Sequence, residues 1–149
     1  RYIAEKKCNG ILQRFYYYTA QSDRHLDPDK FDKTQGFINR MRSEYKRCII
    51  RVGKLVPRGT TKEGKTIFEE KQTDVNIATD MLSLAYTDGY DIAVLLSTDT
   101  DYRPAIELIR NLGKIVIAGI VDEQPGRTMK SLVDEYFYLK KEDLEQCLR

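Results

Sequence analysis

The 149-residue sequence has no tryptophan, one histidine, three cysteines and four prolines, and each scarcity excludes something. The single histidine, His25, sits in the polar run SDRHLDPD and reads as a loop residue, which leaves Ser-His-Asp or Cys-His catalysis without a base. Cys8, Cys48 and Cys147 are far apart, odd in number and without a neighbouring histidine. They indicate neither a disulfide framework nor a zinc site, and they fit a reducing, cytoplasmic setting. No apolar run nears the roughly 20 residues of a membrane span, and the longest, Ile115 to Val121, is of strand length. A soluble protein without membrane contact is expected. The nine glycines form neither GxGxxG nor GxxxxGK[ST], so they argue for no dinucleotide fingerprint and no P-loop.

What is present suits one domain over 1–149: 41% hydrophobic and 32% charged residues, enough for one core and too few residues for two comfortable ones. The formal charge of +2 hides a division. Residues 1–73 hold 17 Lys+Arg against 9 Asp+Glu, whereas 74–149 hold 8 against 14. Such asymmetry suits a basic surface for a polyanion beside an acidic site for metal, although solvated helix faces also produce it.

Periodicity orders the elements. RYIAEKKCNG reads as a helix already under way at Arg1, so residues preceding position 1 are expected. Gln13 to Thr19 is an aromatic-rich strand, and its FYYY run is read as buried, not as a base-stacking platform. A helix over 29–47 follows, started by Asp27 and Pro28, and then the strand CIIRVGKLV. Pro57 to Lys71, with Gly59 and Gly64, predicts a hairpin or mobile loop whose Arg58, Lys62, Lys65 and Lys71 could follow a phosphate backbone or simply be solvated. From Asp74 the pattern is helix 75–87, turn at Gly89, strand 91–97, helix 102–111, Gly113 as the residue after the helix, and strand 114–121. This β-α-β unit predicts a parallel sheet packed by helices. A short helix near 129–134, a strand FYL and a terminal helix from KED complete the chain, and no repeat appears.

The densest signal is YDIAVLLSTDTDY, Tyr90 to Tyr102, where an apolar strand runs into Asp99 and Asp101. Open α/β folds gather ligands at the carboxyl ends of their strands. Two carboxylates there repel each other until a hard divalent cation joins them. On the 74–86 helix, at 100° per residue, Asp74 falls in line with Ala78 and Met81 and is expected to point inward, while Asp80 lies toward the edge of that face. Each aspartate has a plainer reading: Asp74 and Asp99 as N-caps, Asp101 as a first-turn acid beside a tolerated Pro104. Together, at neighbouring element ends, they favour a cation site, because one helix needs one cap.

The segment KQTDVNIATDMLSLAYTDGYDIAVLLSTDTDYRPAIELIRNLGKIVIAGI, residues 71–120, closely resembles the NYN domain, the LabA-like branch of the PIN-like nucleases. In that family a K-x-V-D stretch opens a helix with a second Asp six residues on, and a strand ends in S-G-D-S-D-F. By position, Lys71, Asp74 and Asp80 match the first motif and Ser97, Asp99 and Asp101 the second. Gln72 and Thr73 stand where the family favours Gly and Val, and Thr98 replaces a Gly. The family's first strand, carrying D-G-x-N, has no counterpart within these 149 residues and is expected before Arg1.

The resemblance implies a three-layer α/β/α fold with a mainly parallel central sheet. It also implies Mg²⁺- or Mn²⁺-dependent phosphodiester hydrolysis, on RNA. Asp74, Asp99 and Asp101 would be ligands, with Asp80 an accessory acid. Ser97 and Thr98 would bond a ligand water or phosphate oxygen, and Lys71, Arg58, Lys62 and Lys65 would guide the backbone. Two alternatives stand beside it. One is a catalytically inactive NYN-type module binding nucleic acid or protein, since fold does not fix function. The other is a haloacid-dehalogenase-like phosphotransfer enzyme, echoed by Asp99-Thr100-Asp101 but lacking the Thr or Val expected at Arg103. A homo-oligomer is compatible with the sequence.

Overall fold

A computed structural model describes residues 1–121 and 126–147; the side chain of Cys147 lies outside the described residues. It shows a mixed α/β protein with strands paired largely in parallel, the class read from the sequence. The chain divides into two compact units, Arg14–Ile77 and Arg1–Gln13 with Ala78–Arg149. No described helix is long and apolar enough to cross a membrane.

In the unit Arg14–Ile77, β1 (Phe15–Gln21), β2 (Cys48–Thr60) and β3 (Thr66–Lys71) form a sheet in that order. β1 and β2 run parallel, and β2 and β3 are the expected hairpin, antiparallel with a register shift between Pro57 and Gly59. Their turn closes through Thr61 and Lys65, with Gly64 at φ 79 supplying the left-handed residue. Helix α2 (Pro28–Glu44) starts where the sequence placed it, its first turn capped by the Asp27 carboxylate accepting from Lys30 N at 3.0 Å. Ile38 is its one buried residue. The FYYY run is a strand, but it is not buried: Phe15, Tyr16 and Tyr18 are half-exposed and Tyr17 exposed. Their rings pack edgewise on Tyr45 and Phe37, or stack on each other, so aromatic β-propensity here reflects a partly open face. His25 is exposed in a turn held by Asp23, as a loop residue should be.

The other unit holds most of the core. β4 (Ile92–Leu95), β5 (Ile115–Val121) and β6 (Glu135–Leu139) form an all-parallel sheet in that order, linked by α4 (Arg103–Asn111) and α5 (Arg127–Leu132). Central β5 is apolar on both faces, as a strand covered on both sides must be, with Val116, Ala118 and Ile120 fully buried. Ile106 and Ile109 of α4 and Met129 of α5 are fully buried as well. Gly119 leaves room there: a Cβ would run into the end of the Leu96 side chain and stand 2.9 Å from the Phe137 ring, so both would have to shift. Helix α4 ends in a Schellman motif, Gly113 N donating to Arg110 O and Lys114 N to Ile109 O, with Gly113 at φ 78. Asp134 then sets the β6 register, accepting from Val116 N at 2.9 Å and from Arg110 Nε at 2.8 Å. Short α1 (Tyr2–Lys7) and α6 (Lys141–Cys147) are tied together: buried Asp143 takes Lys7 at 2.8 Å and the Tyr2 hydroxyl at 3.1 Å. These bonds hold the Asp143 carboxyl below its ordinary range.

Candidate functional site

Past the end of β4 the chain runs Leu96-Ser97-Thr98-Asp99 without regular structure and then tightens into a 3₁₀ turn, Thr100–Tyr102, that feeds α4. Four local features fix this junction. Ser97 Oγ accepts from Asp99 N at 3.1 Å, and Asp99, in the β region, caps the turn by accepting from Asp101 N through Oδ1 at 2.9 Å. Tyr102 is buried beneath the turn, and Pro104 occupies the first helical turn, where its missing N–H costs nothing.

The cap role read for Asp99 and the first-turn place of Asp101 are therefore real, whereas Asp74 lies inside the first turn of its helix and not at its cap, and the Asp99 cap does not consume the carboxylates. Asp99 and Asp101 are both exposed, beside half-buried Ser97 and Thr98. Among the described residues neither aspartate is in an ion pair, and neighbouring Arg103 reaches Glu107 at 3.9 Å on its own helix. The result is a two-carboxylate rim at the carboxyl edge of a parallel sheet, at a helix start whose dipole favours anions.

Both carboxylates and the Ser97 hydroxyl are hard oxygen donors, the kind that Mg²⁺ and Mn²⁺ take. Mg²⁺ in particular is often held by one or two carboxylates, with water and substrate phosphate filling its shell. Among the described residues no group of three His, Cys, Asp or Glu side chains could hold a metal. The donors at Asp99 and Asp101 thus fit a cation shared with a phosphate better than one enclosed by protein.

Asp74 and Asp80 lie on α3 (Thr73–Tyr86), six residues and so about 120° apart around the axis. The inward direction expected for Asp74 is corrected: it is exposed, Val75 beside it is 68% exposed, and burial on this helix is confined to Thr73, Met81 and Ala85. Helical phase aligned Asp74 with Met81, but phase says nothing of where along a helix the covering begins. Asp80 is half-buried.

The start of α3 is a tight corner. β3 ends at Lys71, Gln72 takes a left-handed φ of 77, and Thr73 opens the helix. Gly53 of β2 makes the corner possible, since a Cβ there would stand 2.6 Å from both Lys71 O and the Thr73 hydroxyl. Nothing in the sequence marked Gly53 beyond its place in a strand. Two of the three departures from the family pattern fall on this corner, and both carry a local cost. Gln72 adopts the conformation that favours glycine, and the buried Thr73 hydroxyl has no hydrogen-bond partner where valine would need none.

The cations proposed for the phosphate backbone share the β2–β3 hairpin. Arg58 and Lys71 both bond the Glu69 carboxylate, which pushes its pKa down, while Lys62 and Lys65 stand exposed at the turn. A shallow cavity of about 460 Å³ lies at the opposite, amino end of the parallel sheet, lined by Glu107, Arg110, Lys114 and Asp134. Its cations are already paired, Arg110 with Asp134 and Lys114 with Asp88 and Asp91, so it is no rival to the Asp99 rim.

A parallel sheet with two exposed carboxylates at its carboxyl edge defines an α/β protein with an acidic, oxygen-donor site. The chain belongs to the NYN domain family, whose profile matches residues 1–140, well beyond the 71–120 stretch in which the motifs lie. That family is nuclease-like, of the PIN-like kind, and membership supports a nuclease kind of function acting on nucleic acid. No curated protein matches the sequence. Among solved structures, a protein of unknown function from Vibrio parahaemolyticus is similar at TM-score 0.55 and 14% identity, over 87% of this chain and 95% of that one. At that identity the likeness speaks for the fold.

Proposed function

We propose that the protein is a divalent-metal-dependent nuclease that hydrolyses phosphodiester bonds in RNA. The observation that carries this reading is the pair Asp99 and Asp101, exposed and outside any described ion pair at the carboxyl edge of the parallel sheet of a NYN-family chain. Asp99 and Asp101 would hold Mg²⁺ or Mn²⁺ together with a substrate phosphate and water, and Asp74 and Asp80 would serve as accessory acids. When bound, the cation would activate water and neutralise charge on the scissile phosphate. Ser97 and Thr98 bring a hydroxyl each beside the rim, able to bond a phosphate oxygen. The hairpin cations Arg58, Lys62, Lys65 and Lys71 would bind the nucleic-acid backbone, which carries most of the affinity in such complexes.

The test is cleavage of single-stranded and structured RNA with Mn²⁺. Asp99→Asn keeps the cap acceptor but loses the charge, so the variant should fold with an unchanged thermal midpoint and lose divalent-dependent cutting. Equal activity in that variant would remove the proposal. A second reading is favoured by one observation, the lack of a three-carboxylate group among the described residues: a silent NYN-type module that binds nucleic acid or protein. Salt-sensitive RNA binding by the wild-type protein without cutting would select it.

A further inference from the structure

The outer face of β6 carries two tyrosines that neither the core nor the acidic rim uses. β6 is an edge of the parallel sheet, and its residues alternate: Phe137 and Leu139 turn to the interior side, while Tyr136 and Tyr138 are 48% and 37% exposed. The two rings meet edgewise with centroids 6.0 Å apart. Lys130 of α5 lies over both, its Nζ 5.0 Å from the Tyr136 centroid and 4.7 Å from that of Tyr138, and it donates to the Tyr138 hydroxyl. Lys140, next in the same alternation, is exposed just past the strand. Two partly exposed aromatic rings flanked by two cations match a chain that alternates flat bases with phosphates.

Register gives the stripe a direction. Leu95 of β4 is level with Ala118 of β5, which is level with Tyr136, and Tyr138 is level with Ile120. Because the strands are parallel, Tyr138 and Lys140 approach the same carboxyl edge at which β4 runs on to Asp99. Two strand spacings, about 10 Å, separate β6 from β4 across the sheet.

We infer that the Tyr136–Tyr138 stripe with Lys130 and Lys140 is a platform for single-stranded nucleic acid, stacking unpaired bases and leading the strand toward Asp99. This rests on the nuclease reading for its direction but not for its binding. A base paired within a duplex has its faces stacked on its neighbours, so the platform selects unpaired segments.

The experiment measures fluorescence anisotropy of a labelled oligouridylate of about 12 nucleotides and of an RNA duplex of the same length, in EDTA so that nothing is cut. Y136A/Y138A should weaken oligouridylate binding about tenfold or more and leave the duplex unchanged. Y136F/Y138F should bind as the wild type does. K130Q should lower the slope of log affinity against log salt by about 0.7, one single-strand phosphate contact. An unchanged affinity in the alanine pair, an equal loss on duplex, a phenylalanine pair as weak as the alanine pair, or no oligouridylate binding by the wild type would each overturn the platform. Cleavage with Mn²⁺ is scored separately. Binding lost in the alanine pair while the wild type never cuts sinks the nuclease reading and keeps the platform; cutting with unaltered binding does the reverse.

Discussion

Thr73 carries a hydroxyl that no neighbour answers, and Gln72 before it holds a backbone angle that suits glycine. An unsatisfied buried hydroxyl costs about 1–3 kcal/mol, and a left-handed non-glycine residue about 1–2 kcal/mol. Thr73→Val, nearly the same shape without the hydroxyl, is therefore expected to raise unfolding stability by about 1 kcal/mol, read as a higher urea midpoint at unchanged m. Gln72→Gly should be neutral to stabilising by about 1 kcal/mol, because glycine's extra unfolded-state entropy offsets part of the relieved strain. Destabilisation by either change would refute this account of the corner. The sequence marked both positions as departures from a pattern; only the backbone shows why that pattern prefers what it prefers. The aspartates show the same limit. Two neighbouring residues, Asp99 and Asp101, could be placed because a strand end and a helix start fix them within one turn. Asp74's direction was misjudged because exposure depends on what covers the first turn.

At the level of elements, the β4–α4–β5 unit was legible almost residue by residue. An apolar strand, a helix stripe of Ala105, Ile106 and Ile109, and Gly113 at φ 78 are local signals that agree with the packing. Gly119 was not legible, since an interior strand glycine has no signature of its own. Its need arises from Leu96 and Phe137, distant in sequence and adjacent in space. Gly119→Ala should lower stability by about 1–3 kcal/mol through overpacking, measured by denaturant unfolding, and a variant as stable as the wild type would show that the Leu96 and Phe137 side chains can turn aside. β1 was recognised as a strand from its aromatics, yet its burial was overstated, because high β-propensity belongs to half-covered faces as much as to cores. β6 is the companion case: FYL was read as a strand, and only its edge position exposes the alternate tyrosines.

Across the whole molecule the charge division seen in the sequence follows the compact units. Residues 14–77 hold 14 Lys+Arg against 9 Asp+Glu, and the remainder 11 against 14. The basic surplus includes the hairpin turn, where Lys62 and Lys65 stand exposed while Arg58 and Lys71 share Glu69. Lys62→Ala with Lys65→Ala should weaken RNA binding uniformly across sequences and flatten the log affinity against log salt slope by about 1.5, two phosphate contacts. A slope equal to that of the wild type would mean that the hairpin lies off the nucleic-acid path.

The sequence by itself determined what depends on near neighbours: the α/β class, the order of elements, the parallel β-α-β unit, the caps and turns, and the oxygen-donor character of the Asp99–Asp101 rim. Each follows from periodicity and side-chain chemistry acting within a few residues. The tertiary structure alone decided what depends on distant residues meeting. It put β6 at a sheet edge with its tyrosines open and drew Arg58 and Lys71 onto Glu69. It also set Gly53 against the Lys71 carbonyl, brought Leu96 and Phe137 onto Gly119, and left Asp74 and Val75 in the first turn of α3 exposed. Burial, pairing and steric closeness are properties of contacts between segments, and no single segment encodes them.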